Sequence, residues 1–124
     1  MIDNPTEPPA EAPGTHAGRL RLEIDVRDGD RAEHPIVAGL STWEMRTEQY
    51  WMLADGLSDV LATTRFAATA ETPWRRDVVS PAVYTRRWGA GRVFVSTIGH
   101  KLDDLDMPPV RTLTERGLLW AARR

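Results

Sequence analysis

Cysteine is absent from the 124 residues, which removes disulfides, thiolate metal sites and cysteine nucleophiles together. That absence fits a cytoplasmic chain. Lysine is nearly absent as well, since Lys101 stands alone among sixteen basic residues and the rest are arginine. Together with abundant alanine, this reads as the codon usage of a GC-rich genome rather than an arginine-specific function. No apolar run approaches the ~18–20 residues a membrane-spanning helix needs. The opening residues Met1 to Pro5 have neither a basic nor an apolar stretch, so no secretory signal is expected. A net charge of −2 gives no electrostatic footprint for nucleic acid or an anionic membrane. The length suits one domain.

Residues 1–18 read as a disordered, acidic tail. They hold Pro5, Pro8, Pro9 and Pro13 with Asp3, Glu7 and Glu11, and too few apolar groups to offset the entropy of ordering. From residue 19 the pattern turns to period two. Leu20, Leu22, Ile24 and Val26 alternate with polar neighbours, which predicts a half-buried strand ending at the turn Asp28-Gly29-Asp30. His34 to Leu40 reads as one short helical turn, with Gly39 as its stop. Trp43 to Leu53 has no clean period. Residues 59–66 predict a second strand, rich in β-branched side chains, and residues 67–78 a surface loop. Residues 82–88 and 92–98 flank Gly89-Ala90-Gly91 as a hairpin. A final helix starts at Asp106 or Pro108, with Val110, Leu113, Gly117, Trp120 and Ala121 on one apolar stripe. Four strands and one helix leave a sheet face without an evident cover.

The residues able to carry chemistry are few. His100 follows Gly99 at the end of the last strand, where an imidazole can serve as general base or metal ligand, or simply as a bonded loop residue. His34 opens its turn either as a ligand group or as a side chain that satisfies loop backbone. Glu48 and Tyr50 lie two residues apart and share a face if the segment is extended. Asp103, Asp104 and Asp106 suit a hard divalent metal, or a solvated loop leading into a helix; the second is the plainer reading. Of the five tryptophans, Trp43 and Trp51 can stack on a sugar, although most tryptophans in so short a chain belong to its core.

Several short motifs, taken in order, carry a family resemblance. They are His34-Pro35-Ile36 with Gly39-Leu40, Thr47-Glu48-Gln49-Tyr50, and Val60-Leu61-Ala62. Trp88 to Phe94, the Gly99-His100 pair, and Gly117 to Ala121 complete the set. Residues 19–124 thus resemble the C-terminal half of the trehalose-utilisation (ThuA-like) domain, whose full length is about twice this. The resemblance implies an α/β fold: a flavodoxin-like, class I glutamine amidotransferase-like three-layer sandwich, here cut to a mixed sheet with a β-hairpin and a C-terminal helix. It implies a bacterial role in trehalose or keto-disaccharide utilisation, as a hydrolase or isomerase, with a non-catalytic sugar- or protein-binding module or a truncated remnant as the alternative. His100 and Glu48 become the candidate catalytic residues, and Tyr50 and His34 the candidate substrate-binding ones. A divalent metal, if one binds, falls to His100. The expected partners are a small carbohydrate and a second copy or complementary fragment, not nucleic acid or membrane. In the amidotransferase relatives a glutamate stands two residues beyond the histidine. Leu102 occupies that place here and the cysteine nucleophile is missing, so glutamine amidotransfer is not expected.

Overall fold

The computed structural model describes residues 20–122. The tail read at residues 1–18 lies outside them. Five strands form one sheet: β1 (Leu20–Val26), β2 (Trp43–Thr47), β3 (Asp59–Phe66), β4 (Val78–Trp88) and β5 (Gly91–Ser96). Two helices follow, α1 (Leu102–Asp106) and α2 (Pro108–Ala122). The spatial order is β2-β1-β3-β4-β5, and every neighbouring pair is antiparallel. The expected mixed sheet is therefore corrected to an antiparallel one. The reason lies in the connections, because neighbouring parallel strands need a crossover of a dozen or more residues, usually an α-helix; among the described residues no α-helix joins two of these strands, and only a five-residue 3-10 helix (Gly29–Glu33) and the turn after it lie between β1 and β2.

The alternation in β1 does what its pattern predicts. Leu22 and Ile24 are buried while Arg21 and Glu23 are exposed. The β1–β2 register sets Leu20 opposite Thr47, Leu22 opposite Met45 and Ile24 opposite Trp43, so the inward face of β2 is built from those three residues. This is the strand hidden in the aperiodic stretch from Trp43 to Leu53. A bulge in β3 around Ala62 brings Leu61 and Ala62 both into the core. β4 begins four residues before the expected position and runs through Pro81. β5 has already ended there, since its last ladder partner on β4 is Val83. With β3 alone beside it, β4 tolerates a residue that lacks an N–H.

One core joins the sheet to the helix. Ile36 and Val37 from the turn and Val110 and Leu113 from α2 are all buried against Leu22, Ile24, Leu61 and Val83. The turn itself is a helical one, with the Ala38 N–H bonded to the His34 carbonyl, and Arg116 donates to the Ala38 carbonyl at 2.6 Å to hold it against α2. The opposite face of the sheet presents Glu23, Glu44, Arg65 and Val79 to solvent. Among the described residues no second helical layer covers it, and no helix is long and apolar enough to cross a membrane.

Gly117 fixes how closely α2 approaches. A Cβ at this position would lie 2.4–2.5 Å from three ring carbons of Phe94 on β5. The helix gives up the propensity of alanine, roughly 1 kcal/mol, so that the ring can lie against its backbone. Gly117→Ala is therefore expected to destabilise the fold by about 1–3 kcal/mol through overpacking. Urea unfolding checks this by a lower midpoint at constant slope, and an unchanged midpoint would place Phe94 elsewhere.

Candidate functional site

The strands carry two well-separated loops to the same end of the sheet. β2 ends at Thr47, next to the start of β1, and the chain continues directly into Glu48 and Tyr50. β5 runs antiparallel to β4 and ends at Ser96, from where Thr97 to Gly99 lead to His100. Thr97 keeps this exit in line by donating its N–H to the Ala82 carbonyl at 2.9 Å. Gly99 then turns the chain with φ +140°, and a Cβ there would sit 2.8 Å from Leu105 Cδ2. Glycine meets both demands, one conformational and one steric.

At that end three side chains converge. The Tyr50 hydroxyl donates to Glu48 Oε2 at 2.9 Å, and His100 Nδ1 lies 3.2 Å from the same oxygen. The hydroxyl and Nδ1 are 3.4 Å apart. Because Glu48 accepts and cannot donate as a carboxylate, the network places the His100 ring proton on Nδ1. In the neutral ring Nε2 then carries the lone pair; the ring is 39% exposed and the Glu48 side chain 15% exposed. Partial burial raises the pKa of the Tyr50 phenol, and the hydrogen bond and charge of Glu48 with the charge of Asp104 raise it further.

One buried carboxylate braces this arrangement. Asp104 is 3% exposed. Its Oδ2 accepts from Thr47 Oγ1 at 2.7 Å, from the His100 N–H at 3.1 Å and from the Lys101 N–H at 3.2 Å. It stands at the third position of α1 and bonds back to the residue that starts the helix, the acidic half of a capping box. The acidic run at Asp103, Asp104 and Asp106 thus divides: Asp103 and Asp106 are exposed, and Asp104 is interior. In the sequence all three read as part of a solvated loop, and the burial of Asp104 corrects that for the middle one. The signal that marks Asp104 is its spacing of three residues from a helix start.

His34 is not part of this cluster. It lies near the start of β3 and the end of β4, at the opposite end of the sheet, beside Asp59, Thr85, Arg86 and Trp120. Its Nδ1 accepts the Ile36 N–H at 3.2 Å, and its ring centroid is 5.5 Å from that of Trp120. Burial lowers its pKa, against a smaller opposing pull from Asp59, so the ring is neutral near pH 7. Trp51 packs on Phe66 and Trp74 with centroid separations of 4.6 and 5.1 Å. Trp43 donates its indole N–H toward Met45 Sδ at 3.3 Å. Among the described residues no group of three or more His, Asp or Glu is arranged to hold a metal ion.

A small antiparallel α/β domain with a carboxylate, a phenol and an imidazole joined at one sheet end is the class of protein these features define. The family model for ThuA, trehalose utilisation, matches residues 6–121, and the chain belongs to that family. The match begins inside the segment read as a tail. No curated protein and no solved structure matches the chain.

The perturbed phenol gives a direct check on the cluster. With its folded pKa above the ordinary value near 10, Tyr50 keeps its proton when an exposed tyrosine has lost it. Its contribution to stability is present below pH 10 and lost as the pH rises through the higher folded value. Alkaline titration of the phenolate absorbance is expected to show one late-ionising tyrosine that Tyr50→Phe removes. A Tyr50 that titrates with free tyrosine would contradict the contact with Glu48.

Proposed function

We propose that this chain acts in carbohydrate utilisation by acid–base chemistry at His100, on a sugar of the trehalose or keto-disaccharide kind. The observation that supports the reading is the single oxygen, Glu48 Oε2, shared by the Tyr50 hydroxyl and His100 Nδ1. A carboxylate on Nδ1 fixes the tautomer and stabilises the imidazolium that forms when Nε2 takes up a proton. For hydrolysis, His100 Nε2 takes a proton from a water as its oxygen bonds to the anomeric carbon, and returns that proton to the departing glycosidic oxygen as the old C–O bond breaks. For isomerisation, Nε2 takes the proton from a carbon acidified by a neighbouring ketone and returns it to the adjacent carbon, the hydroxyl proton passing between the two oxygens. Glu48 orients the imidazole. Tyr50, held protonated by its surroundings, supplies a hydroxyl to the same substrate. The family membership supports the sugar, and the geometry supports the proton transfer.

A second reading, a non-catalytic module that binds a sugar or a protein partner, draws on the bare outer face of the sheet around Glu23, Glu44, Arg65 and Val79. That face is where a second copy or a complementary fragment would sit. Turnover separates the two. Against a panel of keto-disaccharides, His100→Ala and Glu48→Gln are each expected to lower the rate by about a hundred- to ten-thousandfold, the range of a lost general base. Equal rates in wild type and His100→Ala remove His100 from the chemistry. Sugar binding without turnover in the wild type favours the module.

A further inference from the structure

A cavity of about 490 Å³ lies at the sheet end opposite Glu48, Tyr50 and His100 and has no part in the chemistry above. Its volume lies within the ~300–1,000 Å³ of ordinary small-molecule sites. From this cavity we infer a second binding site, for a neutral sugar of one or two pyranose rings, formed by His34, Asp59, Thr85, Arg87 and Trp120.

The chemistry of the walls selects that class. Arg31 donates to Asp59 Oδ1 at 2.6 Å, and Arg86 is paired with Asp55, so most of the local charge is already balanced. A dianion entering the cavity faces Asp59, while a cation faces Arg86 and Arg87. A wholly apolar ligand leaves Arg87 and the second oxygen of Asp59 with nothing to bond to on the cavity side. A polyol avoids each conflict because every hydroxyl both donates and accepts. The acceptor side is the second oxygen of Asp59. The donor side is Arg87 and His34. With its Nδ1 accepting from the Ile36 N–H, neutral His34 carries its proton on Nε2, and its lowered pKa keeps it so near pH 7. Thr85 adds a hydroxyl of either sense. Trp120 and Leu57 give the apolar wall against which the C–H face of a pyranose lies. Arg92 backs the indole, with its guanidinium carbon 5.2 Å from the ring centroid.

This site does not require His100 to be catalytic; only the choice of sugar draws on the family, and the test reads binding rather than turnover. Trehalose, glucose and glucose 6-phosphate are titrated into the full chain, following the Trp120 indole N–H by NMR alongside the backbone N–H of His100. Trehalose or glucose is expected to move the Trp120 signal in a saturable way. Arg87→Ala and Asp59→Asn each weaken that response about tenfold or more, the loss of one charge-assisted hydrogen bond, with the thermal midpoint of unfolding retained. His100→Ala leaves it unchanged. Trp120 unmoved by either neutral sugar overturns the inference. So does a response that His100→Ala abolishes and Arg87→Ala spares, which puts the sugar at the acid–base cluster. Binding of glucose 6-phosphate alone overturns it too, by making the cavity an anion site. Failure of turnover at His100 with the Trp120 response intact removes the proposed function and leaves this site standing.

Discussion

Asp104 is the interaction on which the candidate site depends. A carboxylate taken out of water is costly unless its oxygens are filled, and here three donors converge on one of them. Those donors come from two parts of the chain more than fifty residues apart. Thr47 is the last residue of β2 and immediately precedes Glu48, while the His100 and Lys101 N–H groups belong to the turn after β5. Because β2 and β5 are the two edges of the sheet, no ladder hydrogen bond sets the distance between them. Asp104 supplies that link. The 3.2 Å contact between Glu48 and His100 is a consequence of it.

The rest of the architecture serves the same end of the molecule. Gly99 allows the turn, the Thr97 bond to Ala82 aims it, and α1 delivers Asp104 beneath it. α2 then closes the core over β5 through Gly117 and Phe94, and Arg116 secures the turn from Pro35 to Gly39. The sheet keeps one face for the core and leaves the other to solvent. Its two ends differ in chemistry: one brings Glu48, Tyr50 and His100 together, and the other holds a cavity lined by arginine, aspartate and tryptophan. Antiparallel pairing produces this separation by alternating the ends at which successive loops emerge.

Much of the fold was legible because the signals were local. The period-two run of β1, the β-branched stretch of β3, the glycine hairpin and the stripe on α2 each lie within a single element. β2 was not legible. Its Trp43, Met45 and Thr47 alternate only over five residues and are followed by more aromatic side chains, so the period is lost in the window. α1 escaped because three aspartates in five residues look solvated, and the burial of one depends on strand ends that no local pattern reports. The motif Glu48–Tyr50 and the Gly99-His100 pair pointed to residues that do meet. His34 carried an equally visible motif, yet the topology places it at the far end, and separation of that kind follows from strand order rather than from any motif.

A buried aspartate assembles the cluster by tying the exit of β2 to the His100 turn. The nitrogen-15 shifts of the His100 ring, compared between wild type and Asp104→Ala under conditions where both are folded, test it most directly. The wild-type ring is expected to be protonated at Nδ1, the tautomer Glu48 selects, and the variant to lose that preference toward the Nε2–H form of a free imidazole. An Nδ1–H ring unchanged by removal of Asp104, in a folded protein, would contradict it.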